Sequence, residues 1–281
     1  MIWKTARRSL HFDRPLVMGI LNVTPDSFSD GGKYLPIDAA IAYAEQMISN
    51  GADIIDIGGE STRPGSSPVR ADVEIRRVVP VIEQLAGKFD LPISIDTHKA
   101  GVAAAAIDAG AEIVNDISGL RWDAGIADVA ASTGAGLALM HSRGSFESMH
   151  AEPPVDDILS SVIGSLHRSI TIATGRGVLS DQIAIDVGIG FGKTVEQNLE
   201  LIAKLDRIVG EFAQYPMVIG TSRKSFIGKV LGGLSTDQRL SGSIATAVIA
   251  AQKGAKIIRV HDVKETVDAL RILEAVGTRA I

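Results

Sequence analysis

Cysteine is absent from the 281 residues, which excludes disulfides, thiolate metal sites and a cysteine nucleophile and favours a reducing compartment. Long apolar runs are absent too: no stretch approaches the roughly 18 residues of a membrane-spanning helix. The opening MIWKTARRSLHFDRP carries no apolar segment of the kind a secretory signal needs. A soluble, cytoplasmic protein is expected. An excess of positive charge is also missing. The 28 Lys and Arg against 33 Asp and Glu leave a net charge of -5, which gives no electrostatic footprint for nucleic acid or an anionic membrane. Any anionic ligand must therefore be held by local cations. Neither HExxH nor GxSxG occurs, and His11, His98, His150 and His167 have no partner at ligand spacing, so they read as surface or capping residues.

Hydrophobic residues at 46% and charged residues at 22% make an ordinary globular mixture, and a chain of this length can bury a full core. Short apolar, β-branched runs alternate with segments of helical period along the whole chain. Eight runs read as strands: Leu16 to Asn22, Asp53 to Ile57, Pro92 to Asp96, Glu112 to Asp116, Gly136 to Met140, Gln182 to Asp186, Met217 to Gly220 and Lys256 to Val260. Helical stretches follow them. Ile37, Ala40, Ile41, Ala44, Met47 and Ile48 share one face, as do Val263, Val267, Leu270 and Leu273, the stripe of a helix packed on a sheet. Eight strand-then-helix units with almost wholly apolar strands predict a closed parallel barrel, an α/β protein of (β/α)8 TIM-barrel class in a single domain over residues 1–281.

The connections after the first, second and fifth strands are long: Val23 to Pro36, Gly58 to Arg70 and His141 to Pro154. Each exceeds the usual 4 to 6 or so residues, and in this barrel class all lie on the face that carries the active site. Polar residues end the strands toward that face, namely Asn22, Asp96, Asn115, Asp186, Arg259 and His261. Any one of them could be a helix cap. Six converging on one mouth point to a site. Arg259 and His261 lie two apart and so face the same way, while Ser94 and Ala184 lie beneath Asp96 and Asp186 and leave room for a ligand.

The segment Asp186-Val-Gly-Ile-Gly-Phe-Gly-Lys-Thr194 ends like a phosphate-binding loop. However, the glycine such a loop needs five places before Gly192 is Val187. It reads instead as a glycine turn that admits a flat ligand beside Asp186 and presents Phe191 as an apolar wall. Gly220-Thr-Ser-Arg-Lys-Ser-Phe-Ile-Gly228 places two cations and three hydroxyls at an expected helix N-terminus, a setting for phosphate or carboxylate.

These residues carry a resemblance. Met18 to Gly32 (MGILNVTPDSFSDGG), Asp56 to Ser66 (DIGGESTRPGS), Ser94-Ile-Asp-Thr97, Asn115-Asp-Ile-Ser-Gly119, the glycine turn, Gly220-Thr-Ser-Arg-Lys-Ser225 and Arg259-Val-His-Asp262 resemble, in order and over nearly the whole chain, the dihydropteroate synthases. That family is a (β/α)8 barrel, commonly a homodimer. It joins 4-aminobenzoate to 6-hydroxymethyl-7,8-dihydropterin diphosphate, releasing pyrophosphate and 7,8-dihydropteroate for folate synthesis. The resemblance implies that Asp96, Asn115, Asp186 and Lys224 hydrogen-bond the pterin, with Ile117, Met140 and Phe191 as apolar neighbours and Arg259 stacked on the ring. It implies that Asn22, Arg63, Arg259 and His261 receive the diphosphate with Mg2+, to which Asn22 contributes. Phe28, Thr62, Pro64, Phe191 and Ser225 would form the aminobenzoate pocket, with Thr62 and Asp30 in the two mobile loops. The catalytic set would be Arg63, Lys224, Arg259 and His261. Two departures stand out: Val187 occupies a position where the family usually has proline, and Met140-His-Ser-Arg-Gly replaces a Met-His-Met sequence found in many members. A methyltetrahydrofolate:corrinoid methyltransferase would share the pterin carboxylates and asparagine but would not need the intact Asn22-to-Ser29 and Ser61-to-Ser66 motifs. A non-catalytic pterin-binding paralogue would keep them all.

Overall fold

A computed structural model describes residues 1–24, 37–63 and 65–277. Phe28 and Asp30 in the first long connection, and Pro64 in the second, lie outside the described residues. Eight parallel strands close into a barrel: β3 (Leu16–Asn22), β4 (Ile54–Gly58), β5 (Ile93–Asp96), β6 (Ile113–Asp116), β7 (Gly136–Met140), β8 (Ile183–Asp186), β9 (Met217–Ile219) and β10 (Ile257–Val260). They are hydrogen-bonded in chain order, and β10 returns to β3. Each lies within one residue of its expected bounds.

An antiparallel hairpin of β1 (Ile2–Lys4) and β2 (Ser9–His11) precedes them. It was not expected, because three-residue strands are too short to show a period. The hairpin closes the bottom of the barrel. Trp3 is fully buried there among Leu16, Met18, Ile54, Ile113, Ala138, Ala184, Val218 and Ile257, and its indole N–H donates to the Gln182 carbonyl at 2.7 Å.

The strand register decides what faces the barrel interior. Ile257 pairs with Leu16, Arg259 with Met18, Asp56 with Ser94, Asp96 with Asn115, and Met140 with Asp186. Side chains two apart share a face, so seven of the strands stack a small or apolar residue low in the barrel and a polar residue or Met140 near the carboxyl end, while β9 gives Val218 alone. The opposite parity packs outward against helices. These are α1 (Ile37–Ser49), α2 (Ala71–Lys88), α3 (Ala100–Asp108), α4 (Gly125–Thr133), α5 (Ile158–Gly175), α6 (Val195–Ala203), α7 (Leu205–Glu211), α8 (Ser225–Val230), α9 (Leu240–Gln252) and α10 (Val263–Gly277).

In α2 the buried Val78, Val81, Ile82 and Leu85 form the inward stripe, each contributing about 1.5 to 3 kcal/mol by burial. At Gly19 this layer comes close to the sheet. A Cβ there would sit 2.9 Å from Met47 Sδ on α1 and 3.2 Å from Val263 on α10. The sixth and seventh units each carry two helices, α6 with α7 and α8 with α9, where one apiece was expected.

Candidate active site

Arg259 crosses the mouth of the barrel and organises it. Its Nε donates to Asp56 Oδ2 at 2.6 Å and its Nη2 to Asp96 Oδ2 at 2.6 Å. Asn115 Nδ2 donates to the same Asp56 oxygen at 3.1 Å. Burial opposes the guanidinium charge, but the two carboxylates more than offset it and hold the proton above its usual range. Burial raises the Asp96 carboxyl, with Arg259 opposing and Asp56 adding to the rise. Asp56 Oδ1 and Ser94 Oγ are buried on paired strands without a protein partner. Two polar groups left open at one level suit a polar ligand edge or a bound water.

Across the mouth, Asp186 Oδ1 accepts the Gly188 N–H at 2.7 Å. Burial raises its pKa, against that hydrogen bond and the charges of Lys224 and Arg259. Lys224 Nζ lies 4.1 Å from the centre of the Phe191 ring. Burial and then Arg259 push its pKa down to about 8, while Asp186 and Asp96 oppose the fall. Ile117, Met140 and Phe191 cluster as expected, joined by Phe146, Met149 and the edge of Trp122. The mouth is thus a slot with carboxylates at its edge, a guanidinium and an ammonium over it, and one apolar wall.

The outer parts differ from expectation in three places. Of the two cations and three hydroxyls after β9, only Lys224 and Ser225 remain for a ligand. Arg223, held at φ 57°, turns to Asp262, its Nε donating to Oδ2 at 3.0 Å. Thr221 is buried and accepts from the Thr246 hydroxyl at 3.0 Å. Ser222 Oγ accepts the His261 backbone N–H at 3.2 Å and lies 3.0 Å from His261 Nδ1. Ser225 opens α8 and is exposed.

Second, His261 is not a cation. Burial, then Arg259 and Arg223, push its pKa down to about 3. In the tautomer in which the Ser222 hydroxyl donates to Nδ1, Nε2–H is a neutral donor.

Third, two histidines read as surface or capping residues are partly buried members of the loops. His98 Nε2 meets Glu60 at 2.9 Å, with its ring edge-on to Trp122. His150 Nε2 donates to the Thr62 carbonyl at 2.8 Å and stacks on Phe191 with ring centres 5.9 Å apart. The second long loop is fastened at its base as well, because Glu60 accepts the Val69 N–H at 2.5 Å and Lys99 Nζ at 2.9 Å. Burial raises the Glu60 carboxyl, but its hydrogen bonds from His98, Val69 and Lys99 prevail and hold it below the usual range. Arg63 projects exposed from this loop.

Comparison with known proteins agrees with this arrangement. The family model of pterin binding enzymes matches residues 18–261. A dihydropteroate synthase of Clostridium beijerinckii is 47% identical over 268 residues, covering 95% of this chain and 96% of the relative. The chain belongs to the dihydropteroate synthase family. Among solved dihydropteroate synthases, that of Xanthomonas albilineans with 4-aminobenzoic acid superposes with a TM-score of 0.92 at 43% identity, covering 99% of both chains. The Burkholderia cenocepacia dihydropteroate synthase complexed with 7,8-dihydropteroate gives 0.89 at 40% identity, covering 99% of this chain and 97% of the other.

Within this dihydropteroate synthase barrel, neither departure in sequence disturbs the slot. Val187 is fully buried with the outer core. In the loop after β7, Ser142 Oγ donates to the Ile117 carbonyl at 2.8 Å and accepts Arg121 Nη2 at 2.8 Å. Trp122 Nε1 donates to Gly144 O at 3.0 Å. His141 is buried and, by burial and then Lys193, Arg121 and Arg143, has its pKa pushed down to about 2.

Three residues of the site escaped the sequence reading. Asp56 lay within a quoted motif without a role, and its signal was a lone charge at inward parity in Ile54-Ile-Asp-Ile-Gly58. Glu60 also lay within a quoted motif without a role. Lys193 belonged to the rejected phosphate-loop pattern.

Proposed function

We infer that this chain condenses 6-hydroxymethyl-7,8-dihydropterin diphosphate with 4-aminobenzoate to give 7,8-dihydropteroate and pyrophosphate. The observation that carries the reading is Arg259 held across the mouth by Asp56 and Asp96, opposite Asp186, Lys224 and Phe191. A pterin edge offers adjacent N–H donors to a carboxylate, and its flat face suits a guanidinium plane. Relatives of 43% and 40% identity hold 4-aminobenzoic acid and 7,8-dihydropteroate, the second substrate and the product of that reaction.

In this reading Asp96, Asn115 and Asp186 accept from or donate to the pterin edge, and Lys224 donates to it. Ile117, Met140 and Phe191 line its face. The carbon–oxygen bond between the pterin methylene and the diphosphate breaks with its electron pair going to the oxygen. The aniline nitrogen then attacks the methylene cation and loses a proton to solvent. No strong base is required. Arg63 and Arg259 as cations and His261 as a neutral N–H donor stabilise the departing diphosphate. Thr62 and Ser225, with Phe191, flank the aminobenzoate, to which the resemblance adds Phe28 and Pro64.

Magnesium fits the donor set. Among the described residues no cluster of three or more acidic, histidine or cysteine ligands occurs. Asn22 ends β3 over Gly58, where a Cβ would sit 3.6 Å from Asn22 Oδ1, so no side chain fills that space. Mg2+ keeps several waters and takes few protein ligands beside substrate phosphates, so Asn22 Oδ1 would supply one oxygen donor, and the ion when bound would neutralise charge on the diphosphate.

A homodimer is supported by exposed Ile249 on α9 and by Ile272 and Val276 on the neighbouring α10, at 40%, 67% and 64% exposure. Sedimentation velocity of Ile272→Glu against the unmodified chain tests it, with a shift to monomer expected. Among the described residues no helix is long and apolar enough to cross a membrane, in keeping with a cytoplasmic site of action. The decisive assay is incubation with the pterin diphosphate, aminobenzoate and Mg2+. Pyrophosphate and dihydropteroate should appear in equal amounts, and release of neither would refute the reading.

A further inference from the structure

The Gly192-Lys-Thr194 sequence looks like the end of a phosphate loop, yet its parts face elsewhere. Thr194 is the N-cap of α6. Its hydroxyl accepts the Gln197 N–H at 3.1 Å, and the Gln197 side chain accepts the Thr194 N–H at 3.1 Å. Lys193 folds back into its own turn. Its Nζ donates to the carbonyls of Gly188 at 2.6 Å, Phe191 at 3.0 Å and His141 at 3.4 Å. An ammonium has three N–H donors, and here three carbonyls receive them.

Those carbonyls belong to the segments that build the pterin slot. Gly188 donates its N–H to Asp186 and gives its carbonyl to Lys193, so a single residue joins the lysine to the carboxylate. Phe191 supplies the ring beneath Lys224. His141 follows Met140, and its N–H donates to the Asp186 carbonyl at 2.9 Å. The turn has other bonds, the Gly190 N–H donating to Asn198 Oδ1 at 2.7 Å and the Phe191 N–H to the Gly188 carbonyl at 3.2 Å, and the lysine adds the point at which the carbonyls of Gly188, Phe191 and His141 meet. Gly188, Gly190 and Gly192 adopt φ of 68°, 84° and 61°, and glycine in this region is the least restrained residue. At Gly188 nothing larger fits, since a Cβ would meet the His141 carbonyl at 1.9 Å.

We propose that Lys193 is a positioning residue for the pterin slot, drawing the carbonyls of His141, Gly188 and Phe191 to one point and thereby setting Asp186 and the Phe191 ring for the ligand. The inference rests on the function proposed above. Its charge is held only against resistance: burial, with Lys224, Arg143 and Arg121, pushes the Lys193 pKa down to about 7, and Asp186 alone among the named charges opposes the fall, so the full ammonium is present below neutral pH. An apolar side chain would fill the same volume without that penalty. The cation therefore serves the carbonyls rather than the packing.

The test uses the full chain with Lys193→Met, which keeps the length of the side chain and removes its donors, and with Lys193→Ala. Equilibrium binding of 6-hydroxymethyl-7,8-dihydropterin, KM for aminobenzoate and the thermal melt are measured together. The expected result is a pterin Kd raised about tenfold or more, the scale of one lost charged hydrogen bond, with KM for aminobenzoate at saturating pterin raised clearly less, since of its pocket only Phe191 is tied to Lys193. Ammonium chloride, but not tetramethylammonium chloride, should restore pterin binding to Lys193→Ala. A pterin Kd within about threefold of the unmodified chain overturns the proposal. So does a loss that follows the melting temperature, affects both substrates alike and ignores ammonium. If Lys193→Met does not fold, Lys193→Gln, which retains two donors, is measured under the same criteria with a smaller loss expected. Failure of the unmodified chain to bind the pterin would instead refute the proposed function.

Discussion

Replacing Asp186 by asparagine separates shape from charge at the pterin edge. The side chain keeps its volume, and one of its oxygens is already committed, because Oδ1 accepts the buried Gly188 N–H at 2.7 Å. Turning the amide so that nitrogen faced Gly188 would leave that N–H unpaired, at a cost of about 1 to 3 kcal/mol. The amide oxygen therefore stays on Gly188 and the NH2 group is forced toward the mouth, donor against the donors of the ligand. Loss of a hydrogen bond to a charged acceptor is worth about 1.5 to 3 kcal/mol, and the opposed donor adds to it. A total of about 3 kcal/mol corresponds to a roughly 150-fold rise in Kd for 6-hydroxymethyl-7,8-dihydropterin.

The free protein should respond in the other direction. Burial raises the Asp186 pKa, so ionised Asp186 favours folding less as pH rises through that raised value, and an uncharged replacement removes the penalty. The melt at pH 8 should hold or rise while binding collapses. Asp186 also supports the charges of Lys193 and Lys224. Titration calorimetry is therefore repeated near pH 6.5, where both lysines keep more of their charge. A weakening that persists there belongs to the lost acceptor. A Kd within about threefold of the unmodified chain at both pH values would refute the assignment of Asp186.

Four further outcomes are expected. Arg63→Ala should lower pyrophosphate release about 10²- to 10³-fold with the affinity for diphosphate-free pterin intact, since Arg63 is exposed on a loop while Asp96 and Asn115 belong to barrel strands; a wild-type rate under saturating substrates would count against it. Aminobenzoate should bind weakly to the free chain and tightly with pterin, pyrophosphate and Mg2+ present, and equal affinity in both states would dismiss the loop-built pocket. Pterin affinity should fall as pH rises through about 7 to 8, where Lys193 and then Lys224 lose their protons, and Lys224→Arg should remove the upper part of that limb, because arginine stays charged; an unchanged limb would place it elsewhere. His261, with a pKa near 3, should show no imidazole titration by NMR between about pH 5 and 8 in the free protein, and a midpoint near the ordinary 6.5 would contradict its burial.

The barrel was legible because each strand is an apolar, β-branched run stopped by polar residues, and parallel strands buried on both faces carry that signal most strongly. Asp96, Asn115, Asp186 and Arg259 could be picked out because each interrupts an apolar strand near its carboxyl end. Parity then placed them inside. The same rule would have found Asp56, two residues before Gly58 in β4, had the strand interior been read as closely as its end. Other features were not readable by any local rule. Arg223 and Lys224 are adjacent cations, and only the φ of 57° at Arg223 sends one to Asp262 and leaves the other at the mouth. The sequence of His261 gives its donor atoms but not its charge, which depends on burial beside Arg259 and Arg223. The loop after β7 was left without a role because Phe146 and Met149 reach the apolar wall only through a fold spanning the mouth.

The charges divide in a way that orients the substrate. Inside the slot, Asp56, Asp96 and Asp186 face Arg259, Lys224 and Lys193, acids and bases in equal number and tied by contacts such as the two 2.6 Å bonds of Arg259. A nearly balanced, desolvated slot suits an uncharged heterocycle rich in donors and acceptors. It resists an anion, which would bring unpaired charge into the barrel. Toward the rim the balance is broken by exposed Arg63, beside which the exposed start of α8 at Ser225 and His261 add uncharged polar groups. A molecule with a neutral flat head and a diphosphate tail therefore has one favourable orientation, head down and tail outward. The reacting methylene then lies between slot and rim, where the loops of Arg63 and His150 meet Phe191. In the proposed reaction Arg63 and the uncharged His261 donor would meet the departing diphosphate from the rim and Arg259 from the slot, so the same partition of charge that orients the substrate would also favour the bond that breaks.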